Sequence, residues 1–179
     1  MAEVHIREAL VGDCKDIFRM VKELAQFHKM EVIWSNEETI KQDGFGAHPT
    51  FKCIVAEVPP ESKSADGHTL VALALYSYMY STWKGPIVFL DSLYVDSEFR
   101  GKGIGKALLR KVCKMTLQEG CTFMRWFAVA WNKAATNFYL KEGAQDLTIK
   151  DDEHSFGFSQ AAMEAMAEHS EKRLVTNVS

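Results

Sequence analysis

The sequence predicts an α/β fold, a single domain in which helices cover both faces of a mixed, mostly antiparallel central sheet. Three observations carry this expectation. Strand-like runs at 51–58, 70–80 and 87–95 follow one another through short or turn-rich connections, and strands joined that way are antiparallel. A helical stripe at 103–118 leads into an apolar run at 123–130, a strand–helix–strand unit that makes the sheet mixed. A second helical stripe precedes them all, near the start of the chain.

Val4 to Arg7 reads as a short first strand. Asp13 is a residue type that caps helices, and Ile17, Met20, Val21, Leu24 and Phe27 then recur at helical spacing to give one apolar face. Asn36 to Gln42 is a shorter helix, ended by Asp43-Gly44. Phe51 to Val58 is a strand. Pro59 to His68 (PPESKSADGH) is dense in turn formers and lies between two strands, so it reads as a hairpin loop rather than a linker. Leu70 to Tyr80 is a long aromatic strand, Ser81 to Pro86 a turn, and Ile87 to Val95 the next strand. Gly103 to Gln118 is a strong helix, with Ile104, Leu108, Leu109, Val112, Cys113 and Met115 near one side and Gly120 as its stop. Phe123 to Ala130 is nearly all apolar, as suits a strand covered on both faces. Lys133 to Lys141 is a short helix ended by Glu142-Gly143. Ala144 to Phe158 is expected to hold two short strands about an acidic turn, Asp151-Asp152-Glu153. Gln160 to His169 has high helix propensity, and the last residues are expected to fray. The domain is drawn at 1–170, with 171–179 a tail that is disordered or associated with a dimer.

With 179 residues, the chain is long enough to bury one full core. A hydrophobic fraction of 47% and a charged fraction of 25% are ordinary for a globular protein. The net charge of −3 leaves no basic excess to neutralise phosphates, which argues against a nucleic-acid partner. Cys14, Cys53, Cys113 and Cys121 match neither a metal knuckle nor a disulfide framework, and Cys53 and Cys113 read as buried thiols. His5, His48, His68, His154 and His169 share no ligand spacing, so no metal is expected. The first residues hold no basic segment followed by an apolar run, and no apolar stretch reaches the length of a membrane span. A cytoplasmic protein without a membrane partner is the expectation.

The most informative stretch is Arg100-Gly101-Lys102-Gly103-Ile104-Gly105-Lys106, which follows an apolar strand and opens an amphipathic helix. Glycines let a backbone approach a phosphate closely, and the first turn of a helix offers unpaired N–H groups and the positive end of its dipole. Together they form an anion site, to which Arg100 and Lys106 add charge. A nucleotide P-loop is excluded: Gly101 and Gly105 are one residue too close, and Ala107 stands where the magnesium hydroxyl belongs. A dinucleotide fingerprint needs a third glycine at Lys106, and it would follow the first strand.

This glycine stretch resembles the pyrophosphate-binding motif of the GNAT superfamily of N-acetyltransferases, Arg/Gln-x-x-Gly-x-Gly/Ala. Further blocks are similar to the spermidine/spermine (diamine) acetyltransferases and their thialysine-acetylating branch: His5-Ile6-Arg7-Glu8-Ala9, Lys22-Glu23-Leu24-Ala25, Asp43-Gly44-Phe45-Gly46, Ser81-Thr82-Trp83-Lys84-Gly85, Trp131-Asn132, Asn137-Phe138-Tyr139 and Gly143-Ala144-Gln145-Asp146-Leu147. The resemblance spans roughly residues 1 to 150. It implies a GNAT fold, a homodimer, and transfer of the acetyl group of acetyl-CoA to a small-molecule primary amine. It also implies roles by position. Leu93, Tyr94 and Val95 would pair their backbone with the pantetheine arm. Gly101, Lys102, Gly103, Ile104, Gly105 and Lys106 would hold the pyrophosphate, and Asn132, Lys133, Ala134 and Ala135 would line the other side of the coenzyme. Tyr139 matches the catalytic tyrosine. Phe27, His28, Asp91, Arg125, Trp126, Phe127 and Asp152 match substrate positions.

Amine acetylation needs a neutral nucleophile, although an alkyl ammonium titrates near 10, about as lysine does. A carboxylate beside the amine can accept its proton, directly or through water, and Asp91, a charge inside an apolar strand, is the candidate. The thiolate leaves more readily with a proton donor at hand, and the neutral phenol of Tyr139 is the candidate for that. The chain departs from the diamine enzymes at three acidic positions. Where they carry Glu-Asp it has Asp91-Ser92, and where they carry glutamate it has His28. A polycation is held largely by carboxylates, so spermidine and spermine are expected to be poor substrates, and a less cationic, thialysine-like amine a better one. Trp83, in a loop, is a further candidate substrate contact. Acetylation of a protein lysine, and a catalytically weak acyl-CoA-binding protein, are the alternatives.

Overall fold

The computed structural model describes residues 4–32, 34–150 and 158–174, and these fall into two compact units, one within residues 1–129 and one within 130–179. The first unit is built on a five-stranded sheet whose strands lie side by side in chain order: β1 (His5–Glu8), β2 (Lys52–Glu57), β3 (Leu70–Ser81), β4 (Gly85–Val95) and β5 (Phe123–Arg125). The first three pairings are antiparallel and the β4–β5 pairing is parallel, the mixed sheet that the order of elements predicts.

Alternation along the strands divides the core into two layers. Cys53, Val55, Leu73 and Tyr94 face α1 (Cys14–His28) and α2 (Glu37–Phe45), packing with Cys14, Ile17, Met20 and Ile40. Ile54, Ala56, Ala74, Tyr76, Val88 and Leu90 face α3 (Ile104–Gln118), packing with Ile104, Leu108 and Val112. Each fully buried Leu or Ile contributes about 2 kcal/mol by leaving water. Cys53 is buried as expected, along with Cys14 and Cys121, whereas Cys113 is only half-buried.

One interruption matters for function. Leu75 pairs with Ser92 and Tyr76 with Leu90, so Asp91 is an extra residue in β4, a β-bulge. A bulge reverses the alternation beyond it. Val88 and Leu90 point to the α3 layer before it. After it, Tyr94 points to the α1 layer, and Leu93 and Val95 to the α3 layer.

The elements differ from expectation in four places. Asp13 stands at the N-cap position of α1 but makes no side-chain cap. Its carboxylate instead accepts Arg7 Nη1 at 2.6 Å and the Leu10 N–H at 2.7 Å, a charge-assisted bond and a preceding peptide that turn it away from the N–H groups of α1. The helix α2 runs through Asp43-Gly44 to Phe45, its start fixed by Asn36, whose side chain accepts the Thr39 N–H at 3.0 Å. β5 stops at Arg125 and is half-buried, not covered on both faces, because it has a parallel partner only at Ile87–Phe89.

The fourth difference lies in the second unit, which holds α4 (Lys133–Lys141), α5 (Leu147–Lys150) and α6 (Gln160–Leu174). Where two strands are expected from Ala144, the described residues form the single turn of α5. Asp146 starts it, its side chain accepting the Thr148 N–H at 3.0 Å and its carbonyl the Lys150 N–H at 3.1 Å. The acidic turn 151–153 lies outside the described residues. α6 continues past His169 to Leu174.

Candidate active site

The glycine turn leaves the end of β4 through a short 3-10 turn, Ser97–Phe99, that buries Phe99. Gly101 and Gly103 then adopt φ of +74° and +84°, the left-handed region that glycine enters without a Cβ penalty. A Cβ at either would meet nothing within 4 Å, so backbone conformation and not packing calls for glycine, and the space beside the turn is open. Gly103 is the N-cap of α3 and brings no side chain to cover its first N–H groups, those of Ile104 and Gly105, which have no acceptor within the helix. Arg100 is anchored twice: Nε donates to the Val95 carbonyl at 2.9 Å, and the guanidinium lies 5.4 Å from the centre of the Phe27 ring. Lys102 Nζ sits 4.5 Å from the Phe99 ring centre. A Cβ on Gly105 would touch Val95 at 3.5 Å, so the first turn of α3 packs directly on the end of β4.

β4 supplies the second feature. It pairs with β3 along its length, but with β5 only at Ile87, Val88 and Phe89. From Leu90 to Val95 its other edge has no strand partner among the described residues. Main-chain groups alternate in direction along a strand, and the Asp96 N–H donates to the Val71 carbonyl at 2.9 Å on the β3 side. Leu93 and Val95, on either side of Tyr94, therefore present their main-chain groups along the open edge that leads to the glycine turn, where the Val95 carbonyl accepts Arg100 Nε. At the start of this edge the bulge turns the Asp91 side chain outward, and Ser92, a residue 8% exposed, donates its hydroxyl to Asp91 Oδ2 at 2.9 Å.

The residues matched to a substrate pocket are partly assembled. Phe27 and His28 end α1 with ring centres 5.5 Å apart, and Phe27 meets Arg100, so the end of α1 and the glycine turn converge. Arg125 and Phe127 form another group: the guanidinium is 5.8 Å from the Phe127 ring centre, and that ring meets Phe89 edge-on at 5.6 Å. Trp126 packs against the α3 layer of the core, so it is a wall residue first. Trp83 is 93% exposed at the tip of the β3–β4 hairpin and joins neither group. Asp152 lies outside the described residues.

Tyr139 and the run Asn132–Ala135 share α4 in the second unit. Asn132 Oδ1 accepts the Ala135 N–H at 3.1 Å, so this side chain caps its own helix. The ring of Tyr139 packs 5.2 Å from that of Phe138, and burial pushes its phenol up from the ordinary value. Glu23, which the sequence offers only within the block Lys22-Glu23-Leu24-Ala25 and without a role, accepts from the Tyr94 hydroxyl at 2.7 Å. Arg19, four residues earlier on the same helix, was its available signal.

Among the described residues no group of three or more His, Cys, Asp or Glu is placed to hold a metal ion, and no helix is long and apolar enough to cross a membrane. Residues 20–144 match the model of the acetyltransferase (GNAT) family. The chain is 42% identical to a thialysine N-epsilon-acetyltransferase of Sus scrofa and 43% identical to one of Mus musculus, in each case over 93% of this chain and 99% of the relative. It is 34% identical to a human spermidine/spermine N(1)-acetyltransferase-like protein 1, over 90% of this chain and 23% of that longer protein. In structure it is similar to an integron cassette protein from the mobile metagenome of V. cholerae, with a TM-score of 0.70 at 23% identity over 93% of this chain and 98% of the other. An aminoglycoside N-acetyltransferase in complex with CoA gives 0.66 at 18% identity, over 89% and 96%.

Proposed function

We propose that this chain, which belongs to the GNAT family of acetyltransferases, transfers an acetyl group to the side-chain amine of a small, thialysine-like amino acid in preference to a polyamine. It is an N-acetyltransferase, and enzymes of this family use acetyl-CoA, whose thioester supplies the acyl group. The observation that carries the substrate class is identity of 42% and 43%, nearly end to end, with thialysine N-epsilon-acetyltransferases. Replacement of acidic residues by His28 and Ser92 supports it, since each lost carboxylate weakens the hold on a polycation.

The residues present suit the coenzyme. The β4 edge at Leu93 and Val95, without a strand partner among the described residues, offers main-chain partners to an amide-bearing arm, and the turn from Gly101 to Lys106 offers N–H groups to a pyrophosphate. Asp91 accepts the proton of the incoming ammonium, directly or through water, while Ser92 fixes the carboxylate's orientation. Tyr139 gives its phenolic proton to the departing sulfur. Phe27, His28, Arg125 and Phe127 shape the amine site. We assign the active form to a homodimer in the cytoplasm. Its cysteines are free thiols, as suits a reducing compartment, and light scattering of the purified protein tests the assembly.

The deciding experiment is acetyl-CoA-dependent thiol release across thialysine, lysine, putrescine, spermidine, spermine and a lysine peptide. The expected result is highest kcat/KM for thialysine or another free amino acid. Highest efficiency with spermidine overturns the substrate assignment. Preference for the peptide points to a protein lysine, and silence across the panel with CoA still bound points to an acyl-CoA-binding protein.

A further inference from the structure

On the α1 side of the sheet, a chain of polar groups reaches the strand edge assigned to the coenzyme. The Tyr94 hydroxyl donates to Glu23 Oε2 at 2.7 Å. Glu23 also accepts Arg19 Nη1 on both oxygens, at 3.0 and 3.1 Å. Arg19 is fixed on two further sides, Nε donating to Asp16 at 3.1 Å and Nη2 to the Leu70 carbonyl at 2.7 Å. His68 Nδ1 lies 3.2 Å from the same Asp16 carboxylate. The loop before β3, the first residue of β3, α1 and β4 are thus joined in one network.

Its place matters because of how β4 is held there. Between Leu90 and Val95 the strand is paired on the β3 side alone among the described residues, and it has just passed a bulge. Segments with fewer main-chain bonds open more readily. Tyr94 is 7% exposed and points into the α1 layer, while its neighbours Leu93 and Val95 point into the α3 layer. A hydrogen bond at the tip of Tyr94 therefore sets the rotation of the strand about its own axis. That rotation decides where the main-chain groups of Leu93 and Val95, its neighbours on either side, aim along the open edge. Burial, and after it Glu23, pushes the phenol up, so it remains a donor across the neutral range.

We infer that Glu23, oriented by Arg19 and engaged by Tyr94, is a positioning residue that aligns the open edge of β4 for coenzyme binding. This rests on the reading of Leu93–Val95 as the coenzyme strand. It places a determinant of coenzyme affinity on the face of the sheet opposite α3, in a carboxylate that acts through the Tyr94 hydroxyl.

The test is calorimetric titration of the full chain with CoA, without amine, beside the thermal midpoint of each variant. Glu23→Met keeps the length and removes the acceptor, and is expected to weaken CoA about tenfold, which is about 1.4 kcal/mol. Glu23→Gln keeps a carbonyl oxygen for Tyr94 and is expected to retain most of the affinity. Tyr94→Phe should match Glu23→Met, and the double variant should be no weaker than either alone. Independent losses, or a lower thermal midpoint with unchanged CoA affinity, overturn the inference and leave the network as packing. Should Glu23→Met fail to fold, Tyr94→Phe, which deletes one oxygen, decides on the same two readouts. Wild-type protein that does not bind CoA overturns the coenzyme reading itself, a different outcome from normal binding that the variants leave unchanged.

Discussion

Ser92 donates its hydroxyl to the carboxylate of Asp91 at 2.9 Å, and the two adjacent side chains meet because Asp91 is the unpaired residue of a bulge. In a regular strand neighbouring side chains point to opposite faces. The bulge removes that constraint and leaves Asp91 exposed at the head of the open β4 edge, with Ser92 buried behind it. If Asp91 receives the proton of the amine, Asp91→Asn lowers kcat by about 10²-fold or more at neutral pH. Ser92→Ala, which frees the carboxylate to rotate, costs severalfold. Steady-state rates at saturating acetyl-CoA check both, and an Asp91→Asn rate within twofold of wild type removes Asp91 from the chemistry.

Tyr139→Phe is expected to lower kcat about 10²-fold, with acetyl-CoA affinity near that of wild type. Burial raises the phenol above its ordinary value of 10.0. A raised value keeps the proton on the acid, so the alkaline loss of activity should not set in through Tyr139 until the pH exceeds about 10. A kcat profile taken to pH 10.5 tests this. A limb centred near 8 that vanishes in the phenylalanine variant would contradict it.

Gly103→Ala separates conformation from stability. At φ of +84° a Cβ costs about 1–2 kcal/mol, yet it meets no atom of the chain within 4 Å. The loss of stability should stay near that figure. The loss of CoA affinity should exceed it, because the methyl group occupies space beside the α3 N-terminus. Equal losses in urea unfolding and in CoA titration would show that the turn matters only to folding.

Arg7 and Asp13 give a pH-dependent contribution to stability. Burial alone would raise the Asp13 pKa, but the Arg7 guanidinium and the Leu10 N–H outweigh it and hold the carboxyl below its ordinary 3.8. A depressed value means the stabilisation is full above the unfolded pKa and is lost as pH falls through the folded one. Asp13→Asn should therefore cost about 1–2 kcal/mol at pH 7. The gap to wild type should close as pH drops below 3.8. Urea midpoints at pH 7, 5 and 3 check the sign.

Helical spacing made α3 legible through Ile104, Leu108 and Val112, and short apolar runs bounded by turn formers made the strands holding Ile54, Tyr76 and Val88 legible. The glycine turn was legible because its φ values demand the residue type. What escaped were outcomes of competition between partners. Asp13 has the chemistry of a cap, but Arg7, six residues away, claims it. Asp146 starts a helical turn where two short strands are expected. The bulge at Asp91 leaves no mark in the sequence beyond a charge in an apolar run, since it arises from the register against Leu75 and Tyr76. Nor does spacing show that Tyr94, chosen for its backbone, is held by its hydroxyl.

A strand edge with room for a ligand is also one that another polypeptide can extend. Residues 90–95 of β4 have the length and the apolar side chains of a strand that recruits a neighbour, with Asp91 as their only charge and, among the described residues, no strand paired to their outer edge. Coenzyme lying along them would act as a blocking strand. Protein prepared without it should self-associate on warming, and saturating CoA should suppress that association at concentrations that track its binding rather than its acetylating turnover.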